Sequence, residues 1–267
     1  MIRRARFRGT WYPYDKESLD EIIGPLNTNG EYRIAVLPHS GLVFSGALIR
    51  SFFERIPKGI SHVIILSPSH YYPIPASRIA VSEFTESETP YGNIKTNKLD
   101  VAGSFVNDDV VAAEHGIEMF LPFIGKLGFS VSYGVISALR KPEDPKIIAE
   151  NLLPLIDDNT LLIASSDFTH YGSRFGYAPY PSNAKAMTVQ HDKKCAALLA
   201  TGDGCRAYRE YSHSTICGIA PASIVAEIAE LLGMEGESGD GYTSSDIYPD
   251  GDDDFVSYRT VFWRKNE

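Results

Sequence analysis

Apolar positions along this chain follow two rhythms. Unbroken runs of strand length occur at YRIAVL (32–37), HVIIL (62–66), RIAVSEF (78–84), FSVSYGVIS (129–137), TLLIA (160–164) and SYRTVFW (257–263). Between them apolar residues take helical spacing, which predicts helices over 45–56, 96–106, 146–156, 184–200 and 218–233. Near-continuous apolar strands separated by helices belong to a sheet covered on both faces. The pattern therefore predicts an α/β layered fold with a central, mainly parallel or mixed β-sheet flanked by helices. No low-complexity linker or repeat divides the 267 residues, so one domain spanning 1–267 is expected.

Three of the runs end in a similar way. YRIAVL leads into Pro38-His39-Ser40-Gly41, HVIIL into Ser67-Pro68-Ser69-His70, and TLLIA into Ser165-Ser166-Asp167-Phe168-Thr169-His170. Ligands of α/β sheets gather outside the carboxyl ends of the strands, so parallel strands would bring all three histidines to one edge. Neutral imidazole is the commonest side-chain metal ligand, and short turns rich in Ser, Pro and Gly can aim a ring. His39 and His70 are the candidate ligands on this pattern. A third donor is expected at Cys217, which precedes the apolar helical run GIAPASIVAEIAELL. A helix start should lower its thiol pKa toward thiolate, the form that binds metal or attacks as a nucleophile.

Asp167 and His170 then stand beside the ligands. His170 is placed to move protons at neutral pH, with Asp167 to orient its ring or raise its basicity. His115 and Glu118, in EHGIE, have the i, i+3 spacing that shares a helix face, and offer pocket groups or further ligands. His62, His191 and His213 have no supporting pattern and read as surface or structural. Cys195 and Cys205 are assigned no role.

Composition narrows the choice of function. The net charge of −9, with basic residues scattered, argues against a nucleic-acid surface. No run of about 18 apolar residues is present, which argues against a transmembrane helix. The start, MIRRARFRGTWYP, carries four arginines but no apolar signal core, and Trp11, Tyr12 and Pro13 read as the folded beginning of a domain. Three cysteines without a CxxC pair suit a reducing cytoplasm. The acidic stretch DGDDD (250–254) lacks calcium-loop spacing and reads as a solvated loop. GxSxG, GxxxxGK[ST] and GxGxxG signatures are missing, which weakens hydrolase, nucleotide-binding and dehydrogenase readings.

The motifs GTWYP, PHSGLVFSG, SPSHYYP, EHGIEMFLPF, SSDFTHYG and CGIAP resemble, in that order, the successive motifs of the Memo-like proteins, over residues 9 to about 221. That resemblance implies a fold related to the class III non-haem-iron extradiol dioxygenases and a pocket that binds a metal. By motif, the implied metal ligands are His39, His70 and Cys217, and the implied general base is His170 with Asp167 beside it. Trp11, His115 and Glu118 are implied as pocket-lining, substrate-binding groups. One departure stands out: the extradiol enzymes use a carboxylate where this chain has Cys217. A two-histidine, one-thiolate set suits iron or copper, and zinc as well.

Three functions follow as expectations. The first is a metal-dependent, dioxygenase-like oxidoreductase acting on a small molecule or peptide. The second is a non-catalytic peptide or small-ligand binding protein that retains the inherited pocket. The third is metal-independent hydrolysis, with Cys217 as nucleophile and His170 as base. Microbial members of the family are often encoded beside a radical-SAM enzyme, which makes such a protein a candidate partner.

Overall fold

All six apolar runs enter one sheet in the computed structural model, which describes residues 1–26, 28–249 and 253–266. Its strands are β1 (Tyr32–Leu37), β2 (His62–Ser67), β3 (Ala80–Val81), β4 (Phe105–Val106), β5 (Ser130–Val135), β6 (Thr160–Ser165), β7 (His170–Tyr171), β8 (Met234–Thr243) and β9 (Phe255–Lys265). Their spatial order is β7-β9-β1-β6-β2-β5-β3-β4, with β8 paired to β9. The central four, β1, β6, β2 and β5, are mutually parallel, whereas β9 on one side and β3 on the other run antiparallel to them. The sheet is therefore mixed around a parallel centre.

Helices cover both faces because alternate residues of the central strands point opposite ways. Ile34, Val36, Ile64, Leu66, Leu162 and Ala164 share one core. They pack against α4 (Asp144–Leu152), α5 (Ala184–Ala200), α6 (Gly204–Tyr211) and α7 (Ile219–Leu231). Ala35, Leu37, Val63, Ile65, Leu161 and Ile163 form the other core, under α1 (Lys16–Ile23), α2 (Leu42–Phe53) and α3 (Leu121–Leu127). α7 is buried at every position from Ile219 to Ala229, as expected of a helix apolar all round. Ile224 and Ile228, fully buried there, contribute about 1.5–3 kcal/mol each.

Several predicted boundaries move by a few residues, and one predicted element is absent. Residues 96–106 form no helix. Asn97 donates its backbone N–H to the Val131 carbonyl, Gly103 takes a left-handed φ of +80°, and Phe105–Val106 pairs with Ala80–Val81. Leu99 and Val101 of this extended segment plug the core with the i, i+2 spacing of an extended chain. RIAVSEF contributes only Ala80–Val81 as strand. β8, MEGESGDGYT, was hidden from the hydrophobic pattern because it is an edge strand. Its hydrogen bonds come from β9, and Glu235, Glu237 and Asp240 discourage further pairing along that edge. Of the stretch DGDDD, residues 250–252 lie outside the described residues. Among the described residues no helix is long and apolar enough to cross a membrane.

Candidate metal centre

Neighbouring β1, β6 and β2 end side by side, so the turns that follow them meet at one edge of the sheet. Asp167, just past β6, fixes the turn after β1. Its Oδ1 accepts the backbone N–H groups of His39 (2.8 Å) and Ser40 (3.3 Å), and its Oδ2 accepts the Ser40 hydroxyl at 2.6 Å. Asp167 therefore holds the backbone that carries His39, and its charge also raises the basicity of His170.

His39 itself is buried, and its tautomer follows from proton counting. The single hydroxyl proton of Ser165 goes to the Gly116 carbonyl at 2.7 Å. Ser165 Oγ must then accept from His39 Nδ1, 2.5 Å away. Nε2 of His39 is left with its lone pair facing the site. Only glycine fits at position 116: a Cβ there would lie 2.3 Å from Ser67 Oγ, 2.9 Å from Ser165 Oγ and 3.2 Å from His39 Nδ1.

His70 is set in the same way by Glu114. The carboxylate accepts the His70 backbone N–H at 2.9 Å and its Nδ1 at 2.6 Å, which again leaves Nε2 free. Burial pushes the Glu114 carboxyl up, but its hydrogen bond to His70 and the neighbouring imidazoles outweigh this, and the net shift is downward. Glu114 is a residue the sequence reading missed. Its signal was there: a carboxylate adjoining His115 in a motif already singled out.

The third imidazole is His115. Its ring centroid lies 4.2 Å from that of His70 and 5.0 Å from that of His39, with Trp11 packed against it at 4.6 Å. Tyr71 Oη is 3.0 Å from its Nδ1. One ligand atom from each of His39, His70 and His115 can be chosen so that all lie within 4.8 Å of one another, a set that can hold a metal ion. Burial, followed by the other two imidazoles, lowers the pKa of His115 to about 3. Burial and the neighbouring His70 and His170 also hold His39 well below the usual histidine range. Both rings are thus kept in the neutral form that binds metal.

Cys217, the expected third ligand, is not part of that three-histidine set but lies against His39. Its Sγ is 3.3 Å from His39 Nε2 and 3.5 Å from the Asp167 carbonyl oxygen. Metal–ligand bonds of ~2.0–2.3 Å put donors of a tetrahedral site roughly 3.3–3.8 Å apart, so this pair already has the separation of two ligands. The expected lowering of the thiol pKa is not found. Burial, and then the Asp167 carboxylate, raise it well above the ordinary thiol range. The imidazole that meets its sulfur belongs to His39 rather than His170, which counts against the Cys–His hydrolase.

Glu118 is not directed at the histidines. It is fully buried and accepts from Arg3 Nη1 (3.0 Å), the backbone N–H groups of Arg6 (3.0 Å) and Phe7 (2.7 Å), and Tyr12 Oη (3.0 Å). Arg3, equally buried, donates also to the carbonyls of Val111 and Glu114. This pair clamps the N-terminal segment to the turn that carries Glu114 and His115.

His170 lies on β7, where its backbone is held by the Thr215 hydroxyl. Burial, followed by the opposing pull of Asp167 and the push of His70, leaves its pKa below the usual value. Its Nε2 is buried and bonds to no protein group among the described residues. Trp11, Ser40, Phe44, Arg174, Phe175 and Tyr258 are among the residues lining a groove of about 440 Å³ alongside.

Comparison with known proteins supplies the last observation. A family model described as Memo-like protein matches residues 3–262. Protein MEMO1 of Homo sapiens is 28% identical over 263 residues, covering 86% of each chain. Protein MEMO1 of Danio rerio is 29% identical over 259 residues, again covering 86% of each. The MEMO1 family protein MHO1 of Saccharomyces cerevisiae is 24% identical over 340 aligned positions, covering 98% of both chains.

Proposed function

The chain belongs to the Memo-like protein family, and from that premise we propose that it is a metal-dependent redox protein with a dioxygenase-like pocket, using iron or copper. His39 and His70 would hold the metal through Nε2, with Cys217 as the third donor and His115 within reach as a fourth. The observation that carries this reading is the pair of orienting bonds, from Ser165 and from Glu114. They engage Nδ1 of His39 and of His70 and leave both Nε2 atoms free within a three-histidine cluster that includes His115, and the Cys217 sulfur lies 3.3 Å from His39 Nε2. Thiolate with imidazole is a donor set suited to iron, copper or zinc, and the nearby carboxylates are not free to replace it. Asp167 is committed to the His39 turn and Glu114 to His70.

When bound, iron or copper would supply one-electron chemistry and a coordination position open to a small molecule. The protein's own groups do the rest. Ser165 and Glu114 keep the two ligand rings in one tautomer. His170, neutral and with Nε2 unbonded, is suited to accept a proton from a substrate beside the histidines. Trp11 and Tyr71 flank His115, which is buried.

Cys217→Ser provides the test. The variant should keep its circular dichroism and bind metal more weakly by about ten-fold or more in competition with a chelator, since even an orienting partner of a ligand contributes that much. Unchanged affinity would remove Cys217 from the ligand set. A second reading, a binding protein without turnover, draws on the aromatic groove lined by Trp11, Phe44, Phe175 and Tyr258. Metal-loaded protein that consumes no oxygen with any catechol-like or peptide ligand would favour it.

A further inference from the structure

We infer that Phe175 controls access to His170, and that the turn carrying it, residues 172–177, must shift for His170 Nε2 to meet a substrate. This rests on the proposed proton-accepting role of His170, but its evidence is separate. A buried polar nitrogen without a protein partner calls for an explanation, because leaving a donor or acceptor unmet costs about 1–3 kcal/mol. What packs against this ring is Phe175, with centroids 5.1 Å apart. Phe175 stands in a 3₁₀ turn, Ser173–Phe175, flanked by Gly172 (φ +122°) and Gly176 (φ +65°).

That turn is bonded mostly to itself. Gly172 and Tyr177 exchange backbone hydrogen bonds (2.8 and 3.2 Å), Phe175 N–H donates to Gly172 (3.1 Å), and Gly176 N–H donates to Ser173 (3.1 Å). Among the described residues its hydrogen bond to the body of the protein is one, from Arg174 N–H to Asp254 Oδ1 at 3.0 Å. Ser173, Arg174 and Gly176 are exposed. Space adjoins the turn on two sides: the 440 Å³ groove bordered by Arg174 and Phe175, and a second cavity of about 860 Å³ bordered by Gly172 and Ser173. Gly172 also packs so closely on Asp254 that a Cβ would lie 2.0 Å from its Oδ1, so the single tie and the hinge meet at one point. A unit closed on itself, tied once and bordered by space can move without breaking the sheet.

The test is carbethoxylation of histidines by diethyl pyrocarbonate, mapped by mass spectrometry, on wild type, Phe175→Ala and Asp254→Ala. Exposed His213 serves as the internal reference. In wild type, His170 should react far more slowly than His213. Both variants should raise the His170 rate by about ten-fold or more relative to His213, because a covered site reacts only in the open fraction. Asp254→Ala leaves the Phe175 ring intact and so tests movement of the turn rather than loss of the ring. Equal His170 rates in wild type and either variant would overturn the inference, as would wild-type labelling of His170 as fast as His213. The readout needs no turnover. Should His170 transfer no proton, its labelling still reports the cover; should it transfer one while labelling stays unmoved, the cover alone fails.

Discussion

Replacing Arg3 by methionine should destabilise the protein by about 3–5 kcal/mol, the usual cost of leaving a buried charge without its partner. Glu118 would keep the N–H groups of Arg6 and Phe7 and the Tyr12 hydroxyl, but would lose the cation 3.0 Å away. For a chain of this size the loss corresponds to a fall in Tm of roughly 6–20 °C. Denaturant unfolding followed by circular dichroism measures it, with Arg4→Met, a change at an exposed arginine, as the control. A loss under about 1 kcal/mol would mean that the pair is not the clamp its burial suggests. The substitution should also weaken metal binding, since Arg3 holds the carbonyls of Val111 and Glu114 on the turn leading to His115.

Glu114→Gln should weaken metal binding by about 10–100-fold with little change in fold, the effect expected of an orienting partner. The carboxylate receives three N–H groups: His70 Nδ1 and backbone N on separate oxygens, and Gly116 N at 3.1 Å. An amide of the same shape offers one oxygen and one NH₂, so either the His70 backbone or its ring meets a donor where it needs an acceptor. The ring would then turn or change tautomer, and Nε2 would no longer present a lone pair. Chelator competition should show the loss while the melting curve stays close to wild type. Equal affinity would show that His70 needs no orienting carboxylate to act as a ligand.

The central strands were legible in the sequence because a parallel sheet buried on both faces leaves nearly unbroken apolar runs. The convergence of His39, His70, Asp167 and His170 was legible for the same reason: parallel neighbours deliver their trailing turns to one edge. Long-range pairing was not. The Arg3–Glu118 clamp joins residues 115 positions apart, and Glu114 acts on a histidine 44 positions away. The local pattern gives Glu118 the helix face of His115, but the tertiary fold sends the two side chains to different tasks. The thiol of Cys217 was not legible either: its burial and Asp167, neither visible locally, both push its pKa up. In the segment 96–106 the two core plugs, Leu99 and Val101, are two residues apart, the period of an extended chain, which the helical reading overlooked.

The most direct measurement is the metal content of the protein purified without chelators or a histidine tag, after anaerobic exposure to Fe(II) or Cu(I), beside His39→Ala. The clustering of His39, His70 and His115 predicts close to one metal ion per chain in the wild type and less than a tenth of that in the variant, the loss of a ligand costing at least as much as the loss of its orienting partner. No metal in the wild type, or equal metal in both, would contradict it.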